Sequence, residues 1–390
     1  MLLNLRKSAA QVELDQFFKA MEGRHPAAQV VTKSAFFQAR KQLSHTALTD
    51  LNRIATDDFY AAYDAYRTWN GFRLCAIDGS MIRLPREADV MNEFGAHPGK
   101  ANQSACPMGL ASVYFDVLNH LVIDASLNPA HSSERACAAR HLAHAKPHDL
   151  VIYDRGYNAF WLYATHRERC LAFCMRAKVK RGLEFKRFVE NGAQQAVVTL
   201  RPNKRSVAQC HERGVSVEPI RLRLIRVDLP GEVEVLITNL MDDAVYDAAQ
   251  FKALYHQRWG CEENYKRFKH WVEIENFSGK SALSVQQDFH AKIVTMNLTA
   301  LMTLAAQRRV EKKPNRKHVY PVNFAQALSK MKHTVVVLIR ESVKTLQRLI
   351  SQTIDYLALT IEPVREGRHF ARRLSNLKKR NYYSCYKRAL

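Results

Sequence analysis

Residues 255–269 read YHQRWGCEENYKRFK, and the placement of that stretch decides how the rest of the chain is read. It lies in a helical run expected to start near Asp247, an N-cap residue ahead of Ala248, Ala249 and Gln250. At about 100° per residue, Tyr255, Arg258, Glu262 and Lys269 fall within roughly 60° of one another on one helix face. That face carries a phenol, a carboxylate and two cations. Leu254, Cys261, Tyr265 and Phe268 form the neighbouring face and are expected to be buried. Gly260 costs about 1 kcal/mol relative to Ala in a helix interior, so a local distortion is expected there. By itself the polar stripe is also what a solvated helix stitched by an i,i+4 Arg–Glu pair looks like.

Upstream, the character of the chain changes at Phe72. FRLCAIDGSMIRL reads as a strand over 74–77, then Asp78-Gly79-Ser80, then a second extended piece through Leu84. Alone, Asp-Gly-Ser is turn chemistry. Residues 87–107, with Gly95, Pro98, Gly99 and Pro107, read as a loop. Strands over 110–115 and 121–125 follow, joined by Leu118-Asn119-His120, and then a helix over 132–145. A short apolar strand over 150–153 ends at Asp154.

The order Tyr, two residues, Arg, three residues, Glu, six residues, Lys resembles the YREK signature of bacterial insertion-sequence transposases of the DDE class. The order of a strand with an acid, two strands, a helix and a strand with an acid is similar to the start of a ribonuclease-H-like fold. The resemblance runs over residues 70–310. It implies an α/β chain whose ribonuclease-H-like catalytic core (71–165 and 245–310) is interrupted by a β-rich insertion (166–244). A helical DNA-binding region (1–70) would precede the core, and a helical and basic region (311–390) would follow it. Asp78, Asp154 and Glu262 match the positions of the family's three acids.

The insertion is expected to hold strands over 171–176, 196–200, 217–227 and 233–240, with Pro230-Gly231 as a hairpin turn. It is also basic: Arg176, Lys178, Lys180, Arg181, Lys186, Arg187, Lys204 and Arg205. One feature departs from the family. Relatives stack a flipped base on a tryptophan near the insertion, and this chain has none between Trp161 and Trp259. Phe185, Phe188 and His211 are the substitutes considered.

In the N-terminal region Lys33, Arg40 and Lys41 flank Phe36 and Phe37, a pattern shared by small DNA-binding helices and by plain helical caps. The C-terminal region offers a long helix over 281–309 and two more over 323–332 and 343–357, with an apolar run over 335–339. The last stretch, 365–388, holds nine Lys or Arg and one acid, Glu366, and reads as a DNA-contacting tail.

Composition agrees with a polyanion partner. Fifty-nine Lys and Arg against thirty-seven acids give a net charge of +22, spread along the chain and not gathered on one amphipathic anchor. No apolar run reaches 18 residues, and the N-terminus lacks a long apolar core, so neither a membrane span nor a cleaved signal is expected. The eight cysteines are therefore expected as thiols in a reducing cytoplasm. Cys170, Cys174, Cys210 and His211 match no common zinc spacing.

Three converging carboxylates suit hard divalent cations. The resemblance implies two Mg²⁺ ions, replaceable by Mn²⁺, held by Asp78, Asp154 and Glu262. It also implies phosphate contacts from Arg258, Lys269, Tyr255 and Arg155, double-stranded DNA as partner and a homodimer acting on paired ends. No protein nucleophile is needed for such chemistry, so Tyr255 is not read as a recombinase tyrosine. A nuclease that cuts without joining and a transposase-derived DNA-binding regulator are the alternatives.

Overall fold

The computed structural model describes residues 1–3, 9–22, 30–63, 66–97, 106–179, 182–312 and 318–364, except the side chains at 333 and 339. The basic tail, Lys180, Arg181, Pro98 and Gly99 lie outside the described residues. The chain divides into two compact units. One comprises Met1–Asp58, Ile82–Gly109 and Arg267–Leu390, the other Phe59–Met81 and Leu110–Lys266.

The strands in chain order are β1 (Arg73–Arg83), β2 (Ala96–His97), β3 (Cys106–Asp116), β4 (Leu121–Pro129), β5 (Asp149–Tyr153), β6 (Ala172–Arg176), β7 (Gln195–Leu200), β8 (Ile220–Leu229) and β9 (Glu232–Thr238). They hydrogen-bond in the order β2-β3-β1-β5-β6-β9-β8-β7, with β4 on β3. β1, β5 and β6 are parallel, whereas β6–β9, β9–β8 and β8–β7 are antiparallel. The fold is thus mixed α/β. β5 is buried along its whole length, as its unbroken apolar run requires of a strand covered on both faces.

Three local readings change. Asp78-Gly79-Ser80 is not a turn but the middle of β1. Leu74, Cys75, Ala76 and Ile77 are buried and three of them pair with β5, and this outweighs the local turn preference of the three residues that follow. The strand at Ala172–Arg176 pairs in parallel with β5 and extends the central sheet. The segment beyond it holds two helices, Leu183–Glu190 and Lys204–Glu212, besides β7, β8 and β9. The loop expected over 87–107 contains a helix, Ala88–Phe94, because Val90 and Phe94 lie one turn apart and both are fully buried. The Pro230-Gly231 hairpin forms as expected, with Leu229 opposite Glu232 and Gly231 at φ +82°.

The core of the second unit gathers Ile77, Tyr114, Val151, Tyr153, Trp161, Phe173 and Leu224 around the sheet. In the first unit Ser281 and Ser284 form a capping box at the start of Ala282–Glu311. That helix packs through Ala306 and Val310 against Ala327 of Phe324–Arg340 and Leu357 of Val343–Leu357. The apolar run over 335–339 lies inside the helix Phe324–Arg340, where Val335 and Val336 are buried. Among the described residues no cysteine is in a disulfide, and no helix is long and apolar enough to cross a membrane.

Candidate active site

The register of β1 against β5 brings the first two acids together. Arg73 pairs with Asp149 and Ala76 with Ile152; Asp78 and Asp154 each lie two residues beyond that last pair, close enough for the charge of Asp154 to act on Asp78. Asp154 follows β5 and caps a single 3₁₀ turn, its Oδ1 accepting from Gly156 N–H at 2.5 Å. A side chain at 156 would meet that oxygen at 2.7 Å, so the DRG glycine is required by the aspartate's own cap. Asp78 accepts from Gly79 N–H at 2.9 Å. Burial pushes its carboxyl up to about 7; Gly79 N–H and Arg258 oppose the shift, and the charges of Asp154 and Glu134 add to it.

The third acid arrives on a helix that is not the continuous one expected. Gln250–His256 and Trp259–His270 are separate helices, with Gln257 and Arg258 in the break. The amides of Gln257, Arg258, Gly260 and Cys261 bond carbonyls three residues back, so the ladder tightens locally. A Cβ at Gly260 would meet Val117 Cβ at 3.4 Å, an ordinary contact. Asp247 is not the N-cap expected: the helix starts at Gln250, Ala249 holds the cap position without a side-chain cap, and Asp247 accepts from Ala249 N–H at 3.1 Å in the turn before it. Leu254, Cys261, Tyr265 and Phe268 are all buried, as their spacing implies.

Glu262 is held by Arg258 at 2.8 Å. The Arg258 guanidinium is raised in pKa although burial opposes this, because Glu262, Tyr255 and Asp78 all favour its charge. It lies 5.9 Å from the ring centres of both Tyr255 and Trp259. Its Nε is buried with no hydrogen-bond partner among the described residues. Tyr265, one turn beyond Glu262, docks this helix on β1: its hydroxyl is 2.9 Å from the carbonyl oxygens of Asp78 and Ala111. Burial and the nearby Asp154 charge raise the Tyr255 phenol, with Arg258 opposing. Tyr255, Arg258 and Trp259 line a cavity of about 620 Å³ with Arg176 and Glu234.

The structure therefore groups Asp78, Asp154, Tyr255, Arg258 and Glu262. Arg155 is exposed and lines a cavity of about 370 Å³ with Arg176 and Lys178. Lys269 is in the last turn of Trp259–His270, within residues of the first unit. Lys33 and Lys41 are exposed. Arg40 is not available as a DNA contact: it is 5% exposed and bonds Gln287, Ser278 Oγ (2.7 Å), Ser284 O (2.6 Å) and Asp288 Oδ1 (2.9 Å). A buried guanidinium needs such partners, and here they are all internal. Phe185 and Phe188 are buried and offer no face to a base, whereas His211 is exposed.

Two residues at the site have no counterpart in the sequence reading. Glu134 opens the helix Glu134–His141, and an acid in a first turn looks like any helix start. Tyr157 is three residues past Asp154, and only its place behind the second acid distinguishes it. The donors are all carboxylates on distinct elements, a set whose chemistry fits a hard cation. As they stand, no group of three His, Cys, Asp or Glu among the described residues is close enough to enclose a metal ion. One of the three expected ligands, Glu262, is engaged by Arg258 instead.

The transposase DDE domain matches residues 69–298, more than half of the chain, and the chain belongs to that family. It is 25% identical over 127 residues to InsZ of Escherichia coli (strain K12), by name a transposase. That match covers 32% of this chain and 42% of InsZ, so the chain spans under half the length of this relative. The cryo-EM structure of the piggyBac transposase synaptic complex with hairpin DNA is similar at a TM-score of 0.42 and 7% identity, covering 94% of this chain and 78% of that one.

Proposed function

We propose that the chain is a DNA transposase that cleaves at the ends of its insertion element and joins them to target DNA by two-metal-ion phosphoryl transfer. The observation that supports this reading most directly is the side-by-side setting of Asp78 and Asp154, with Arg258 linking Asp78 electrostatically to Glu262. The strand order β4-β3-β1-β5-β6, with an acid on β1 and another just after β5, supports a ribonuclease-H-like core.

In this reading Asp78, Asp154 and Glu262 hold two Mg²⁺ ions, or Mn²⁺ in their place. When bound, such ions activate an attacking hydroxyl and stabilise the leaving oxygen of an in-line displacement. Arg258 holds a phosphate beside the scissile bond through its forked donors, and Lys269 holds another as a point charge. A phosphate that takes over the Arg258 fork releases the Glu262 carboxylate, so substrate binding and completion of the acid set are coupled. Tyr255 bonds a phosphate oxygen or braces a displaced nucleotide. Arg155, Lys33 and Lys41 contact the backbone, and two copies act on paired ends.

The test is a Mg²⁺-dependent cleavage assay on the DNA flanking this reading frame. Glu262→Gln is expected to retain end binding and to lose cleavage by roughly two orders of magnitude or more. Cleavage at a near-normal rate would overturn the assignment of the three acids. Insertion of pre-cut ends into a plasmid separates a transposase from a nuclease that only hydrolyses.

A further inference from the structure

Away from the acids, the second unit carries a cleft of about 740 Å³ that the reaction proposed above does not use. It lies between the helices Glu134–His141 and Phe160–Glu168 and the end of Lys204–Glu212. Small alanines of the first helix leave the room, and the buried Trp161 and the exposed Arg140, Arg169 and Arg213 line it.

The sheet fixes where this cleft stands. Asp154 comes just past the C-terminal end of β5, and Phe160–Glu168 carries the chain back to Ala172, which pairs with Leu150. Arg169, shortly before β6, is therefore level with the start of β5, and it donates to Leu142 O at 2.9 Å. At about 3.3 Å per residue, roughly 13 Å of strand separates this end from Asp154.

The arginines are fixed more than they are neutralised. Arg213 stacks 4.6 Å from the Trp161 ring centre and has a carboxylate partner, Glu212, at 2.8 Å. Arg140 donates from Nη2 to Asn128 Oδ1 at 2.7 Å and to Cys137 Sγ at 3.2 Å. Neither Arg140 nor Arg169 has a carboxylate partner among the described residues. Glu168 is the one acid that lines the cleft, and its Oε1 already accepts from Ser216 N–H at 2.6 Å. A guanidinium carries about five N–H donors, so most of those on Arg140 and Arg169 are left for another acceptor. Held by neutral partners, both groups keep their charge and lose little freedom when an anion arrives.

We infer that this cleft binds the phosphate backbone of double-stranded DNA away from the scissile bond, as an anchoring surface distinct from the acids. The inference rests on the reading of the chain as a DNA transposase. B-DNA carries one charge per about 1.7 Å of axis, so a duplex with one phosphate at the acids offers others at the distance of the cleft. Arginine forks match phosphate oxygens, and such contacts position a duplex without reading its sequence.

The test is binding of the full chain to the DNA flanking this reading frame over a range of salt, with cleavage in Mg²⁺ at saturating protein. Arg140→Gln and Arg169→Gln are each expected to weaken binding about fivefold and to lower the salt slope by about 1, adding in the double variant. Cleavage of the bound DNA should stay within about twofold of wild type, because the cleft is remote from the acids. Arg167→Gln takes the same charge from the same helix, but Arg167 bonds Glu218 O and Pro219 O outside the cleft, so binding should change by less than about twofold. An equal loss in Arg167→Gln overturns the inference in favour of a general charge effect. Wild-type affinity and slope in the double variant overturn it, while cleavage by the unmodified chain leaves the proposed function standing. Cleavage lost at saturation overturns it as well, by making the arginines part of the reaction. No binding by the unmodified chain overturns the inference and the DNA reading together. Arg140→Lys and Arg169→Lys keep the charge and should restore the salt slope; a slope that they do not restore overturns the inference in favour of a purely structural role.

Discussion

The stretch over which β1 and β5 pair carries charged groups at its start and just beyond its last pair, and the two ends of that stretch are built on opposite terms. At the start of the strands Arg73 and Asp149 are fully buried as a bidentate pair, with Nε–Oδ1 and Nη2–Oδ2 both at 2.7 Å. Tyr114 donates to the same carboxylate at 2.6 Å, Lys146 N–H at 2.8 Å, and the Tyr60 ring lies 4.4 Å from the guanidinium carbon. Arg73 and Asp149 there are each other's counter-charge. Just past the last pair Asp78 and Asp154 meet with like charge, Glu134 adds a third, and the Tyr157 hydroxyl has no partner among the described residues. One end is finished by the polypeptide alone. The other leaves like charges together and a buried hydroxyl without a partner among the described residues, which is where an enzyme is expected to keep its unsatisfied groups.

Breaking the finished end should cost most. Arg73→Met leaves Asp149 buried without its cation, and unfolding in urea is expected to show a loss of about 3–5 kcal/mol. A loss below about 1 kcal/mol would mean that the pair is not the structural anchor described.

The interior between the two ends has its own pH signature. His166 is fully buried, bonded to Tyr153 OH at 2.8 Å and to Leu171 O at 3.3 Å. Burial pushes its pKa down to about 3. The folded state therefore binds this proton less readily than the unfolded chain, whose histidines titrate near about 6.5. Stability from this ring is whole above that pH and is lost as pH falls toward 3, with a slope of up to about 1.4 kcal/mol per pH unit. Urea titrations between pH 7 and pH 4, in roughly one-unit steps, should show the slope and its disappearance in His166→Gln.

Relieving the unfinished end should have the smallest effect and the opposite sign. Tyr157→Phe removes a buried hydroxyl that has no partner, and without divalent cations it should stabilise the protein by about 1 kcal/mol. A destabilised Tyr157→Phe in chelator would show that the hydroxyl is already satisfied.

Much of this site was legible because its residues sit in short runs with local signatures. Asp154 ends an apolar strand, and the burial of Leu254, Cys261, Tyr265 and Phe268 follows from helical spacing alone. The readings that failed were those in which distant contacts outweighed local preference. Asp78-Gly79-Ser80 looks like a bend until β5 is beside it. Residues 247–269 look like one helix, yet the chain breaks at Gln257 and Arg258. Arg40 looks like a free basic residue until Asp288 and Gln287, some 250 residues later, close around it.

The chain's own order of residues determined which acids and cations exist, their local settings, the basic character and the apolar strand beneath Asp154. These depend on neighbours a few positions away, and periodicity records them. Only the tertiary structure decided that Glu134 joins Asp78 over a glycine and that the Tyr157 hydroxyl is left without a partner among the described residues. Those facts depend on strand register and on side chains meeting across separate elements, and no local pattern encodes which distant groups will share one place.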